Sequence, residues 1–125
     1  MLLIVGTFRL APAKLADAIP LMALMIEASR AENGCEEYSY ASDVFDVGLV
    51  HVTERWRDRA ALDCHLASKH IAAWRSTWCS LEIGHRDLRV YEVGKSRSVE
   101  LGALGSTHAA APLSPTAGNT YCRRA

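Results

Sequence analysis

Glu54-Arg55-Trp56-Arg57-Asp58-Arg59-Ala60-Ala61-Leu62-Asp63-Cys64-His65-Leu66-Ala67-Ser68-Lys69-His70 is the stretch in which the chain passes from strand to helix, and its reading decides the fold. Up to Trp56 the period is two: Val50, Val52, Glu54 and Trp56 share one face, and Leu49, His51, Thr53 and Arg55 share the other. That alternation predicts a strand over about 48–57. Asp58 is a good N-cap and predicts a short helix over about 59–67. Ser68 is a second cap, restarting helix with Ile71, Trp74, Trp78 and Leu81 on one stripe until Gly84.

Working outward, Leu2 to Arg9 alternates as a first strand that Pro12 ends. From Ala13 to about Glu32, apolar Leu15, Ile19, Met22 and Ile26 recur at helical spacing, and Asn33-Gly34 supplies a left-handed stop. Pro20 removes a backbone donor inside this helix, so a kink or a frayed first turn is expected. A strand follows over about 35–42, with Tyr38 and Tyr40 on one face, and a turn on Asp43 and Asp46 leads to the strand ending at Trp56. Leu88 to Val93 forms a last strand. Strand, helix, strand, strand, helix pair, strand is an α+β order, the ferredoxin-like split β-α-β-β-α-β arrangement with helices on one face of an antiparallel sheet. The other face is then uncovered, and a second copy packing sheet to sheet is the expected cover, giving a homodimer.

Composition agrees with one ordinary globular domain: 125 residues, 50% hydrophobic, 14 basic and 14 acidic side chains. The zero net charge hides a division. Residues 1–94 carry 10 basic and 13 acidic groups, and residues 95–125 carry 4 and 1. No Lys/Arg stripe is present to neutralise phosphates, which excludes a nucleic-acid partner. Apolar Met1 to Val5 is interrupted far short of the ~20 residues of a membrane helix, and no basic segment precedes it as in a signal peptide. Cys35, Cys64, Cys79 and Cys122 are scattered, as expected of a reducing cytoplasm rather than a disulfide scaffold. Residues 1–95 are read as the folded domain, and the Ser/Gly/Ala/Pro-rich residues 96–125 as a flexible C-terminal tail.

Chemistry-bearing residues concentrate between Cys35 and Trp74. Tyr38, Tyr40, His51, Trp56, His65, His70 and Trp74 suggest an aromatic-lined pocket between helices and sheet, although a Trp at a strand end and a Trp stripe are also what a core requires. His65 and His70 are five apart, about 140° around a continuous helix, and no carboxylate stands at a spacing that completes a three-ligand site; no metal is expected. As acid/base groups the two imidazoles could remove a phenolic proton, with Glu54 as orienting carboxylate. Cys35 reads as a small strand residue more readily than as a nucleophile. No Gly-rich phosphate loop or nucleophile elbow occurs.

The run Ser29-Arg30-Ala31-Glu32-Asn33-Gly34-Cys35-x-x-Tyr38, followed by Glu54-x-Trp56-x-Asp58, Ala61-Leu62, His65, Ser68 and His70, resembles the antibiotic biosynthesis monooxygenase family from about Leu3 to Val93. The resemblance implies dimeric α+β barrels of ferredoxin-like subunits. It also implies oxidation of a quinol or phenolic aromatic by O2 without a cofactor, in a cleft between sheet and helices. On the matching positions it makes His65 and His70 the catalytic candidates, and Tyr38, Trp56, Trp74 and Glu54 the substrate-binding ones. Haem-degrading relatives are disfavoured, because Thr7 has no nearby Asn and Arg75 stands near the place of their ligating His. Isomerisation of a phosphorylated dione, with Arg9, Arg55 or Lys69 as phosphate ligands, is the enzymatic alternative. A non-catalytic small-molecule-binding or stress protein is the other.

Overall fold

The computed structural model describes residues 1–100. Its centre is β1 (Leu2–Arg9), whose neighbours on both sides are antiparallel: β3 (Leu49–Trp56) and β4 (Gly84–Glu92). β2 (Cys35–Ser42) pairs with the far side of β3, so the sheet runs β2-β3-β1-β4. Three helices, α1 (Leu15–Arg30), α2 (Arg59–Leu66) and α3 (Lys69–Ser76), complete the ferredoxin-like order. Met1–Lys95 forms one compact unit, and the described residues beyond it carry no regular structure. Most of the segment expected as a flexible tail, from residue 101 onward, lies outside the described residues.

One sheet face is dry and the other is not, and the pleat decides which. Leu2 and Phe8 of β1, Tyr38 of β2, and Val50, Val52, Glu54 and Trp56 of β3 all point to the helices and are buried. Trp56 and Tyr38 are 0% and 2% exposed, and burial of side chains this large is worth roughly 1.5–3 kcal/mol each. Leu3, Val5, Thr7, Leu49 and Thr53 take the opposite, half-covered face.

The helices depart from expectation in detail. α1 buries Ala18, Met22, Met25 and Ser29; of the expected stripe, Leu15 and Ile26 pack partly against the core and Ile19 alone turns outward, at 55% exposed. Helix runs unbroken through Pro20, and a tight turn at Pro12–Lys14 forms the entry. Gly34, at φ +87°, takes the left-handed stop. Its carbonyl accepts the Arg57 N–H, and a side chain there would strike the Ala61 methyl. α3 ends at Ser76, short of Gly84, as the Thr77 and Ser80 hydroxyls return hydrogen bonds to backbone carbonyls three residues back. The chain then opens β4 at Gly84, four residues before the expected Leu88.

Candidate active site

Two caps place the histidines. Asp58 Oδ1 accepts the Ala61 N–H at 2.9 Å and starts α2; Ser68 Oγ accepts from Ile71 N at 3.4 Å and starts α3. Between them the helix is interrupted at Ala67 and Ser68, so the angular offset of a continuous helix does not apply. The rings of His65 and His70 come to 5.8 Å between centroids.

Glu32, in the turn after α1, meets both. His65 Nδ1 lies 3.2 and 3.1 Å from its two carboxylate oxygens, and His70 Nε2 is in ion-pair contact with it. The carboxylate at hydrogen-bond distance from the imidazoles is therefore Glu32 rather than the expected Glu54. Sequence spacing hid it, since Glu32 and His65 are joined by folding across 33 positions. It stood inside the quoted Ser29-to-Cys35 motif, without a signal of its role. The corner that carries it is fixed on either side: Arg30 Nε donates to the Tyr38 carbonyl at 2.8 Å, and Arg57 donates to the Asn33 side chain at 3.0 Å.

Glu54 makes other contacts. Its Oε2 accepts the Trp56 indole N–H at 2.9 Å, and it stands directly across the β2–β3 ladder from Tyr38. Burial pushes the Glu54 carboxyl above its ordinary range, opposed by hydrogen bonds from Trp56 and Tyr38. Burial also raises the Tyr38 and Tyr40 phenols, keeping both protonated. It lowers His65, against the pull of Glu32 in the other direction.

His65 is 2% exposed, its ring 4.5 Å from that of Trp56 and 5.2 Å from that of Tyr38. It lines a cavity of about 260 Å³ between the helices and the sheet, with Tyr38, Tyr40, Glu54, Trp74 and Trp78 among the other walls. With Nδ1 held by Glu32, Nε2 is the nitrogen left for the cavity. Of the expected site residues, Tyr38, Glu54, His65 and Trp74 share this cavity. Trp56 and His70 do not line it: Trp56 is core behind His65, and His70 borders a separate groove against α1.

Arginines complete the wall. Arg75 and Arg86 reach the cavity with no carboxylate partner among the described residues, and Arg86 stacks 4.2 Å over the Trp78 ring. Arg9 and Arg55, expected as phosphate ligands, are paired with Asp46 and Glu37 and do not line it, and neither does Lys69. The two cavity arginines follow no periodic pattern, so nothing in the sequence marks them out. Cys35 is half-buried and apart from the cavity, its thiol pushed up by burial. No helix is long and apolar enough to cross a membrane among the described residues.

Residues 1–77 match the antibiotic biosynthesis monooxygenase family. A provisionally named antibiotic biosynthesis monooxygenase of Deinococcus radiodurans superposes with a TM-score of 0.74 at 24% identity, over 80% of this chain and 99% of that one. A Mycobacterium tuberculosis protein does so with a TM-score of 0.63 at 27% identity, over 79% and 98%. An uncharacterised Synechocystis protein is 26% identical over 98 residues, 78% of this chain and 67% of its own length.

Proposed function

Because the chain belongs to the antibiotic biosynthesis monooxygenase family, we propose that it is a monooxygenase that oxidises a quinol or phenolic aromatic with O2, the substrate itself supplying the electrons. The observation that carries this reading is His65: buried between two rings, held through Nδ1 by Glu32, its other nitrogen left to a ring-lined cavity.

The phenolic proton passes to Nε2 of His65, and the phenolate gives one electron to O2. Superoxide and aryloxyl radical combine at a ring carbon, and the His65 proton moves to the peroxide. Loss of the proton on that carbon and cleavage of the O–O bond release one water and leave a quinone. One oxygen atom of O2 stays on the ring; the other leaves as water. Glu54 and Tyr38 orient the ring oxygen, and Tyr40 and Trp74 its faces. Glu32 positions the imidazole, and His70 positions Glu32.

The test is oxygen uptake by metal-stripped protein with a panel of hydroquinones and naphthols, against buffer and against His65→Ala. Uptake above buffer that falls by about 10²–10⁴-fold in the variant is expected for loss of a positioned base. Absence of uptake with the whole panel removes the reading, and uptake that the variant leaves unaffected removes His65 as the base.

Arg75 and Arg86 favour a second reading, in which the ligand carries a phosphate, as in isomerisation of a phosphorylated dione. It requires a phosphorylated ligand to bind with salt-weakened affinity that Arg86→Gln abolishes; an unchanged affinity dismisses it.

A further inference from the structure

Glu32, His65 and His70 leave the ends of three different elements and converge: each offers a ligand atom, all within 4.8 Å of one another. Two imidazole nitrogens and one carboxylate oxygen are the donor set of many zinc sites, and bonds of ~2.0–2.1 Å place tetrahedral neighbours ~3.4 Å apart. The His65 Nδ1 to Glu32 separation, 3.1 Å, is already near that value. His70 Nε2 is buried and makes no hydrogen bond of acceptable geometry, although it touches Glu32. This contact is closer than two ligands of one ion stand, so a cation bound by both would take its place as the two exposed-side side chains part to ligand spacing. The two outer ligands keep side-chain exposures of 23% and 19%, an entry from solvent, while His65, at 2%, closes the inner side.

We infer that Glu32, His65 and His70 form a binding site for one late first-row divalent cation, Zn2+ being the natural probe. Hard cations such as Mg2+ prefer all-oxygen sets and are excluded by the two imidazoles. Three protein ligands leave a fourth position for water. The site lies on the Nδ1 side of His65, and the cavity on the other. An ion on Nδ1 uses the only lone pair of the neutral imidazole and fixes the proton on Nε2, so His65 would donate to the cavity instead of accepting from it. Zinc thus withdraws the base and inhibits reversibly, a consequence that rests on the function proposed above; the binding itself does not.

Isothermal titration of the full-length, metal-stripped protein with Zn2+ should give one ion per chain. Glu32→Gln and His70→Ala, both at partly exposed positions, should each weaken it by more than the roughly 10–100-fold that loss of an outer-shell partner costs, with far-ultraviolet circular dichroism unchanged. Co2+ loaded into the unmutated protein reads the donor type without any variant, and visible ligand-field bands without thiolate charge transfer are expected. Lack of stoichiometric binding, wild-type affinity in both variants, or a thiolate band from Cys64 or Cys79 overturns the assignment. Binding without inhibition of a measured quinol turnover would contradict the proposed base and leave the metal site standing.

Discussion

Trp56 places one ring and one N–H where they cannot be exchanged: the ring backs His65 at 4.5 Å, and the N–H satisfies the buried Glu54 carboxyl at 2.9 Å. Trp56→Phe keeps most of the ring and removes the donor, so denaturant unfolding should show a loss of about 1–3 kcal/mol, the cost of an unsatisfied buried polar group. Trp56→Ala adds a cavity and should lose about 3–5 kcal/mol. Wild-type stability in Trp56→Phe would mean that the hydrogen bond contributes nothing. At this scale the sequence was half legible. Tyr38, Trp74 and His65 were identifiable as pocket residues from ring density and strand or helix phase. The exchange of roles between Glu32 and Glu54 was not, because which carboxylate reaches an imidazole depends on how a turn and two helix ends meet in space.

The interruption between α2 and α3 is the element-level device on which the site depends. Ser68 restarts the helix and sets His70 in its first turn, facing Glu32. Ser68→Ala should cost about 0.5–2 kcal/mol by thermal or urea unfolding. It should also lower turnover more than a surface substitution does, because His70 loses its register. Asp58, the cap of α2, gives a pH dependence whose sign is fixed. Its carboxyl is held below the ordinary range by the Ala61 N–H it accepts and by the adjacent Arg57 guanidinium. Its contribution is present above the unfolded carboxyl pKa of about 4 and disappears as pH falls through the lower folded value. Asp58→Asn retains an acceptor without the charge, so its stability should fall less than the wild type's between neutral and acid pH; parallel curves would contradict this. Both caps were legible because a cap is a local signal. The early end of α3 and the early start of β4 were not, since they follow from hydroxyl back-bonds and from pairing with β1.

At the scale of the molecule, a sheet with helices on one face leaves Leu3, Val5, Leu49 and Thr53 only half covered. A second copy laid against this face would bury them, and homodimerisation is proposed on that ground. Sedimentation should give a dimer, and Val5→Arg should shift it toward monomer while the helix-side core stays folded; a monomeric wild type contradicts the proposal. Element order was readable from hydrophobic period because each strand and helix declares its phase locally, and the strand neighbours follow from the few topologies that order allows. The arginines of the cavity wall, by contrast, are assembled only when β4 closes beside β1.

The central claim is that an aromatic substrate in this cavity accepts one oxygen atom from O2, with His65 handling the proton. It is tested most directly by turnover of a naphthol under isotopically labelled dioxygen in the presence of a chelator, with mass analysis of product and water. The account predicts a quinone carrying one labelled oxygen atom, labelled water in equal amount, and both products reduced by about 10²–10⁴-fold with His65→Ala. A quinone without label accompanied by labelled hydrogen peroxide, or the same yield from the variant, would contradict it.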